Sequence, residues 1–110
     1  MDTINYQNKR KSLLDQMAGI ERMREGRLSE EYRERVVDGQ TIRNGPYYKH
    51  QLWKNGKNVS RRVPAEEAQR LREGIEGMDH FKRLCEDFAQ TTVEMTRQLE
   101  SASDAKKNSK

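Results

Sequence analysis

The sequence contains one cysteine, Cys85, two prolines, one tryptophan and no long hydrophobic run among its 110 residues. Each shortage excludes something. A single cysteine cannot close an internal disulfide, so a small stapled fold is not expected and a reducing compartment fits. No apolar stretch approaches the ~18–20 residues needed to cross a bilayer, and the opening Met1-Asp2-Thr3-Ile4-Asn5 lacks the apolar core of a signal peptide. A cytoplasmic protein without membrane contact is the expectation. His50 and His80 are the only histidines, which leaves little material for a metal centre, since zinc wants four ligands. His80 and Cys85 are separated by five positions, which does not align them on one helical face, and neither a third orienting group nor oxyanion donors accompany them. Cys85 reads more simply as a small buried apolar residue. Glycine-rich phosphate loops, paired-carboxylate spacings and nucleophile elbows are also missing. The sequence therefore predicts a protein that is not an enzyme, with no cofactor, no metal and no small-molecule substrate.

Charge is what the chain has in quantity. Charged residues make up 36% and apolar residues 32%, so the apolar side chains must concentrate on a few faces, or a partner must help to cover them. The length fits a single domain, expected over residues 1–100 and followed by a disordered basic tail over residues 101–110. Basic and acidic side chains are segregated along the chain. Residues 1–38 hold eight of each, whereas residues 39–63 hold six basic and no acidic ones. Residues 64–100 hold five basic and nine acidic side chains. The net charge of +4 thus belongs mainly to the middle of the chain.

The pattern of apolar residues predicts an α+β fold: an N-terminal helix, a three-stranded antiparallel meander and a long C-terminal helix. Ile4, Tyr6, Leu13, Leu14, Met17, Ile20 and Met23 recur at helical steps, capped by Asp2 or Thr3 and closed by Gly26, with Gly19 as an interior cost. Leu28, Tyr32 and Val36 share one parity, which predicts a strand over residues 27–37, with a helix start at Ser29-Glu30-Glu31 as the alternative. Asp38-Gly39 and Asn44-Gly45-Pro46 mark residues 38–46 as a loop. Residues 47–53 and 57–63 flank Lys54-Asn55-Gly56, a strong hairpin signal because Asn-Gly accepts the positive φ angles of a type I′ turn. Pro64, Glu66 and Glu67 suit a helix start. A stripe through Leu71, Ile75, Met78, Phe81, Leu84, Cys85, Phe88, Val93, Met95 and Leu99 continues that helix, with Gly74 and Gly77 as points where it is expected to bend or break.

Gly45-Pro46-Tyr47-Tyr48, Lys54-Asn55-Gly56-Lys57, Ser60-Arg61-Arg62-Val63-Pro64 and His80-Phe81 together resemble a family of small prokaryotic proteins. Its members are often encoded beside transposases in insertion elements. The resemblance covers roughly residues 10–100 and includes the stretch Arg24-Glu25-Gly26-Arg27-Leu28-Ser29-Glu30. It implies an accessory role in a mobile element, and the family carries no established activity. Many members carry a cysteine cluster before the Gly-Pro-Tyr-Tyr segment. Here residues 36–44 read Val-Val-Asp-Gly-Gln-Thr-Ile-Arg-Asn, so that metal site does not carry over.

Two surfaces follow as candidates. Lys49, Lys54, Lys57, Arg61 and Arg62, with Arg43 nearby and interleaved with Tyr47 and Trp53, have the composition of a nucleic-acid surface, in which cations neutralise phosphates and aromatic rings stack on bases. Alternation places Tyr47, Lys49 and Trp53 opposite Tyr48, His50 and Leu52, so only part of the set converges. The competing reading makes the aromatics core and the cations a solvated face that guards sheet edges. The second surface is the far part of the long helix, which a three-stranded sheet cannot cover. Its cover is expected from the first helix, from the same helix of a second subunit, or from a partner such as a transposase.

Overall fold

The computed structural model describes residues 5–108, with side chains through residue 104. Its elements follow in the order α1 (Tyr6–Ala18), β1 (Arg27–Val37), β2 (Gln40–Lys54), β3 (Lys57–Val63) and α2 (Ala65–Asn108). The α+β arrangement expected from the residue pattern is what the chain adopts. The expected caps Asp2 and Thr3 lie outside the described residues; α1 is capped by Asn5, whose Oδ1 accepts from the Asn8 backbone N–H at 3.0 Å. The described chain falls into two compact units, one formed by Arg22–Met78 and the other by the segments before and after it. The helix α2 contributes residues to both.

In the unit made of the two flanking segments, α1 lies against the later turns of α2. Tyr6, Arg10, Leu13, Met17 and Ile20 are the α1-side residues that are not exposed, at alternating steps of four and three, which is one stripe of a helix. Phe81, Leu84, Phe88, Thr91, Thr92 and Met95 form the matching stripe on α2. The two helices run antiparallel, since Arg10 Nε donates to Thr92 Oγ1 at 3.0 Å while Met17 lies against Cys85. Intramolecular pairing of the two helices is therefore present. Cys85 departs from its reading as a buried residue: it is exposed, because it stands beside the stripe rather than on it.

In the unit formed by Arg22–Met78 the three strands pair antiparallel in the order β1-β2-β3. The first three turns of α2 cover one sheet face, where Val63, Ala68 and Leu71 are buried and Leu28, Tyr48 and Ile75 pack around them. A leucine buried to this degree contributes about 1.5–3 kcal/mol. The turn at Asn55-Gly56 has the positive φ angles that the Asn-Gly signal requires, 50° and 75°.

Four local readings need correction. The segment 38–46 is not a loop. Asp38 and Gly39 take φ of 50° and 75° and close a second two-residue hairpin turn, so that β2 begins at Gln40 and passes through Gly45-Pro46, which are joined by a cis peptide, as an irregularity in the β1–β2 register between Glu31 and Arg33. The helix α1 stops at Ala18, short of Ile20, Met23 and the expected closing Gly26. Beyond it, the Arg24 N–H donates to the Gly74 carbonyl at 2.8 Å, and His50 Nε2 donates to the Glu25 carbonyl at 2.9 Å. These two tertiary bonds hold the connector extended and override the helical spacing of Ile20 and Met23. Gly74 and Gly77 do not interrupt α2, which is continuous. Gly74 is instead a seat for the connector, because a Cβ there would lie 2.8 Å from Arg24 Cβ. Helical backbone also continues through residues 101–108, where Ala102, Ala105, Lys106 and Lys107 favour helix although the apolar stripe has ended.

Candidate nucleic-acid interface

Strand register decides which cations meet. Lys49 pairs with Ser29 on one side and Arg62 on the other, Gln51 with Arg27 and Ser60, and Trp53 with Asn58. Directly opposed residues share a face, so Arg27, Lys49, Trp53 and Arg62 stand together with Tyr47. Arg33 joins them: its guanidinium lies 5.4 Å from the Tyr47 ring centroid, and Arg62 lies over the same ring at 4.2 Å. Arg35, two residues beyond Arg33 in the strand, has the same parity. This outer face contains no buried residue. It carries five cations, Arg27, Arg33, Arg35, Lys49 and Arg62, against one carboxylate, Glu31.

Pairing within the face is sparse. Lys49 Nζ lies 3.2 Å from Glu31 Oε1, with both side chains well exposed, so water screens the pair and it holds Lys49 weakly. Among the described residues, no carboxylate lies within ion-pair distance of Arg27, Arg33, Arg35 or Arg62. A guanidinium held over an aromatic ring keeps its planar fork of donors for a second partner. Glu31, Arg33, Tyr47, Lys49 and Arg62 outline a shallow hollow of about 100 Å³. Trp53 is 73% exposed at the end of β2 and offers a ring for stacking.

The seven residues singled out from the sequence are thus divided. Tyr47, Lys49, Trp53 and Arg62 share the outer face. Lys54, Lys57 and Arg61 have the opposite parity, with Lys54 and Lys57 exposed at the hairpin end. Arg61 is bound to Glu67 of α2 by hydrogen bond and ion pair. That contact holds the Glu67 carboxyl below its ordinary range, chiefly through the hydrogen bond from Arg61, and raises the Arg61 guanidinium by the same bond. His50, on the covered face, is 3% exposed and fixes the connector through Glu25.

Sequence reasoning missed Arg27, Arg33 and Arg35. Their strand also carries Glu30, Glu31 and Glu34, so a count along the chain makes it neutral. The available signal was parity: Arg27, Arg33 and Arg35 are odd-numbered within one strand, while Glu30 and Glu34 are even. Compared with family models, curated proteins and solved structures, the chain matches none.

Proposed function

We propose that this chain is a non-enzymatic nucleic-acid-binding protein whose contact surface is the outer face of the sheet. The observation that carries this reading is the five-to-one excess of cations over carboxylates on a face that no other element of the unit covers. Arg27, Arg33, Arg35, Lys49 and Arg62 meet phosphates; Trp53, and Tyr47 between its two arginines, supply aromatic surface for bases. Lys54 and Lys57 extend the positive surface at the hairpin end, and Arg61 serves mainly to tie β3 to α2. The setting implied by the Gly-Pro-Tyr-Tyr resemblance is an accessory role beside a transposase in a mobile element, and the genes next to its own test that.

Titration of the chain with single- and double-stranded oligonucleotides at rising salt tests the reading. Affinity is expected to fall linearly on a log–log plot, because each neutralised phosphate releases counterions. Arg62→Gln is expected to weaken binding and to reduce the slope by about 0.7–0.9, whereas Arg61→Gln leaves the slope unchanged. Binding that ignores both salt and Arg62→Gln rejects the proposal.

A second reading, docking or self-association through the far part of α2, is favoured by Val93 and Leu99, which stay 41% and 65% exposed although they continue its apolar stripe. Sedimentation across a concentration series separates the two: a dimer lost on Leu99→Glu supports association through the helix.

A further inference from the structure

The strand β3 ends at Val63, opposite Tyr48, so β2 from Gln40 to Tyr47 pairs with β1 alone. Residues 32–46 therefore form a two-stranded arm of about 20 Å, at some 3.3 Å per residue. Of these residues only Asn44 is even half-buried. A free two-stranded ribbon is marginal in water, yet this one exposes Val36 at 72% together with Tyr32, Val37 and Ile42. Both its edges and both its faces are open among the described residues.

The arrangement of its charges indicates what covers it. Arg33 and Arg35 project from the outer face, while Arg43 projects from the other, where it lies over the Tyr32 ring at 3.9 Å and stands opposite Glu34. Val36 and Val37 lie between these cations and the Asp38-Gly39 turn, and Ile42 stands level with Arg35; Asp38 is the carboxylate at the tip. A flat anionic surface engages one face of a ribbon. Cations on both faces behind exposed valines match an anionic groove, with phosphates on either wall and base edges on the floor, where the Asp38 carboxylate can accept from a cytosine amino group.

Resting on the nucleic-acid reading, we infer that the arm inserts tip-first into the major groove of duplex DNA. The B-form major groove is ~12 Å wide and admits a two-stranded ribbon, whereas its minor groove is about half as wide. The A-form major groove of duplex RNA is too deep and narrow for side chains to read. In the groove, Arg33 and Arg35 face one phosphate wall and Arg43 the other; Val36, Val37 and Ile42 reach base edges, where thymine methyl groups give apolar contact. Arg33 and Arg35 share a face with Lys49 and Arg62, so the arm continues the positive surface into the duplex.

Fluorescence anisotropy on the full chain tests this, with a duplex DNA of about two helical turns, the same duplex as RNA, and one single strand. The variants are Arg35→Gln/Arg43→Gln and Val36→Ser/Val37→Ser on the arm, and Arg62→Gln on the platform. All replace exposed side chains, and circular dichroism checks the fold. Each arm variant is expected to lose roughly tenfold or more in duplex-DNA affinity, and Val36→Ser/Val37→Ser, which removes no cation, to leave single-strand binding within about twofold. Dimethyl sulfate is expected to show guanine N7 protected, a major-groove atom, and adenine N3 reactive. Arm variants that bind duplex DNA like the wild type, while Arg62→Gln still weakens binding, overturn the arm and leave the platform. Adenine N3 protection in place of guanine N7, or duplex RNA bound as well as duplex DNA, also overturns it. A dimer that the arm variants convert to monomer overturns it in favour of a second copy of the chain. If no variant and no salt concentration alters binding, the underlying reading falls instead.

Discussion

Glu67 and Arg61 illustrate how one side chain can be assigned to fold or to ligand. Both are partly exposed, so water limits what their contact is worth, but its dependence on pH has a definite sign. The Glu67 carboxyl is held below its ordinary value by the Arg61 hydrogen bond. A carboxyl lowered on folding adds stability that is present above its unfolded value and is lost as pH falls through the folded one. Glu67→Gln is therefore expected to lower the urea midpoint at neutral pH, and the gap to the wild type to close in acid below the ordinary carboxylate range. Equal gaps at both pH values would remove the pair from the account. Gly74 works through space rather than charge. Its missing Cβ admits Arg24, so Gly74→Ala is expected to cost roughly 1–2 kcal/mol, the overpacking outweighing the gain in helix propensity, and to leave the urea slope unchanged. Neither role is visible in sequence: Gly74 and Arg24 are distant along the chain, and Arg61 and Glu67, although only six positions apart, stand on a strand and a helix whose packing no local pattern names.

Among the elements, legibility followed locality. The Lys54-Asn55-Gly56 turn and the Pro64 helix start each rest on a few adjacent residues, and each formed as those residues indicate. Asp38-Gly39 is the same kind of turn signal as Asn55-Gly56. It was obscured by Asn44-Gly45-Pro46, whose turn chemistry β2 absorbs as an irregularity instead of ending. The end of α1 was also hidden, since the connector is set by bonds to Gly74 and His50 that only the folded unit provides. For the candidate surface, the aromatic and β2–β3 members were readable from composition. The β1 arginines required the register, because residues two apart in a strand share a face while neighbours do not.

On the scale of the whole chain, the net charge has a single address. Arg22–Met78 holds thirteen basic and nine acidic residues, and the two flanking segments hold nine of each, so the entire +4 lies in the unit that contains the sheet. Nuclear magnetic resonance titration with an oligonucleotide is expected to move amide resonances of β1, β2 and β3, with those of α1 nearly still. Shifts concentrated in α1 would place the contact elsewhere. The flanking unit has a different consequence for biosynthesis. Its contacts join residues far apart in sequence, Met17 to Cys85 across 68 positions and Arg10 to Thr92 across 82. Such pairings are slow to form because a long loop must close first. The ribosome therefore delivers α1 well before its partner turns exist, and Leu13 and Met17 wait in water while both hairpins, built from neighbours, have already had time to zip.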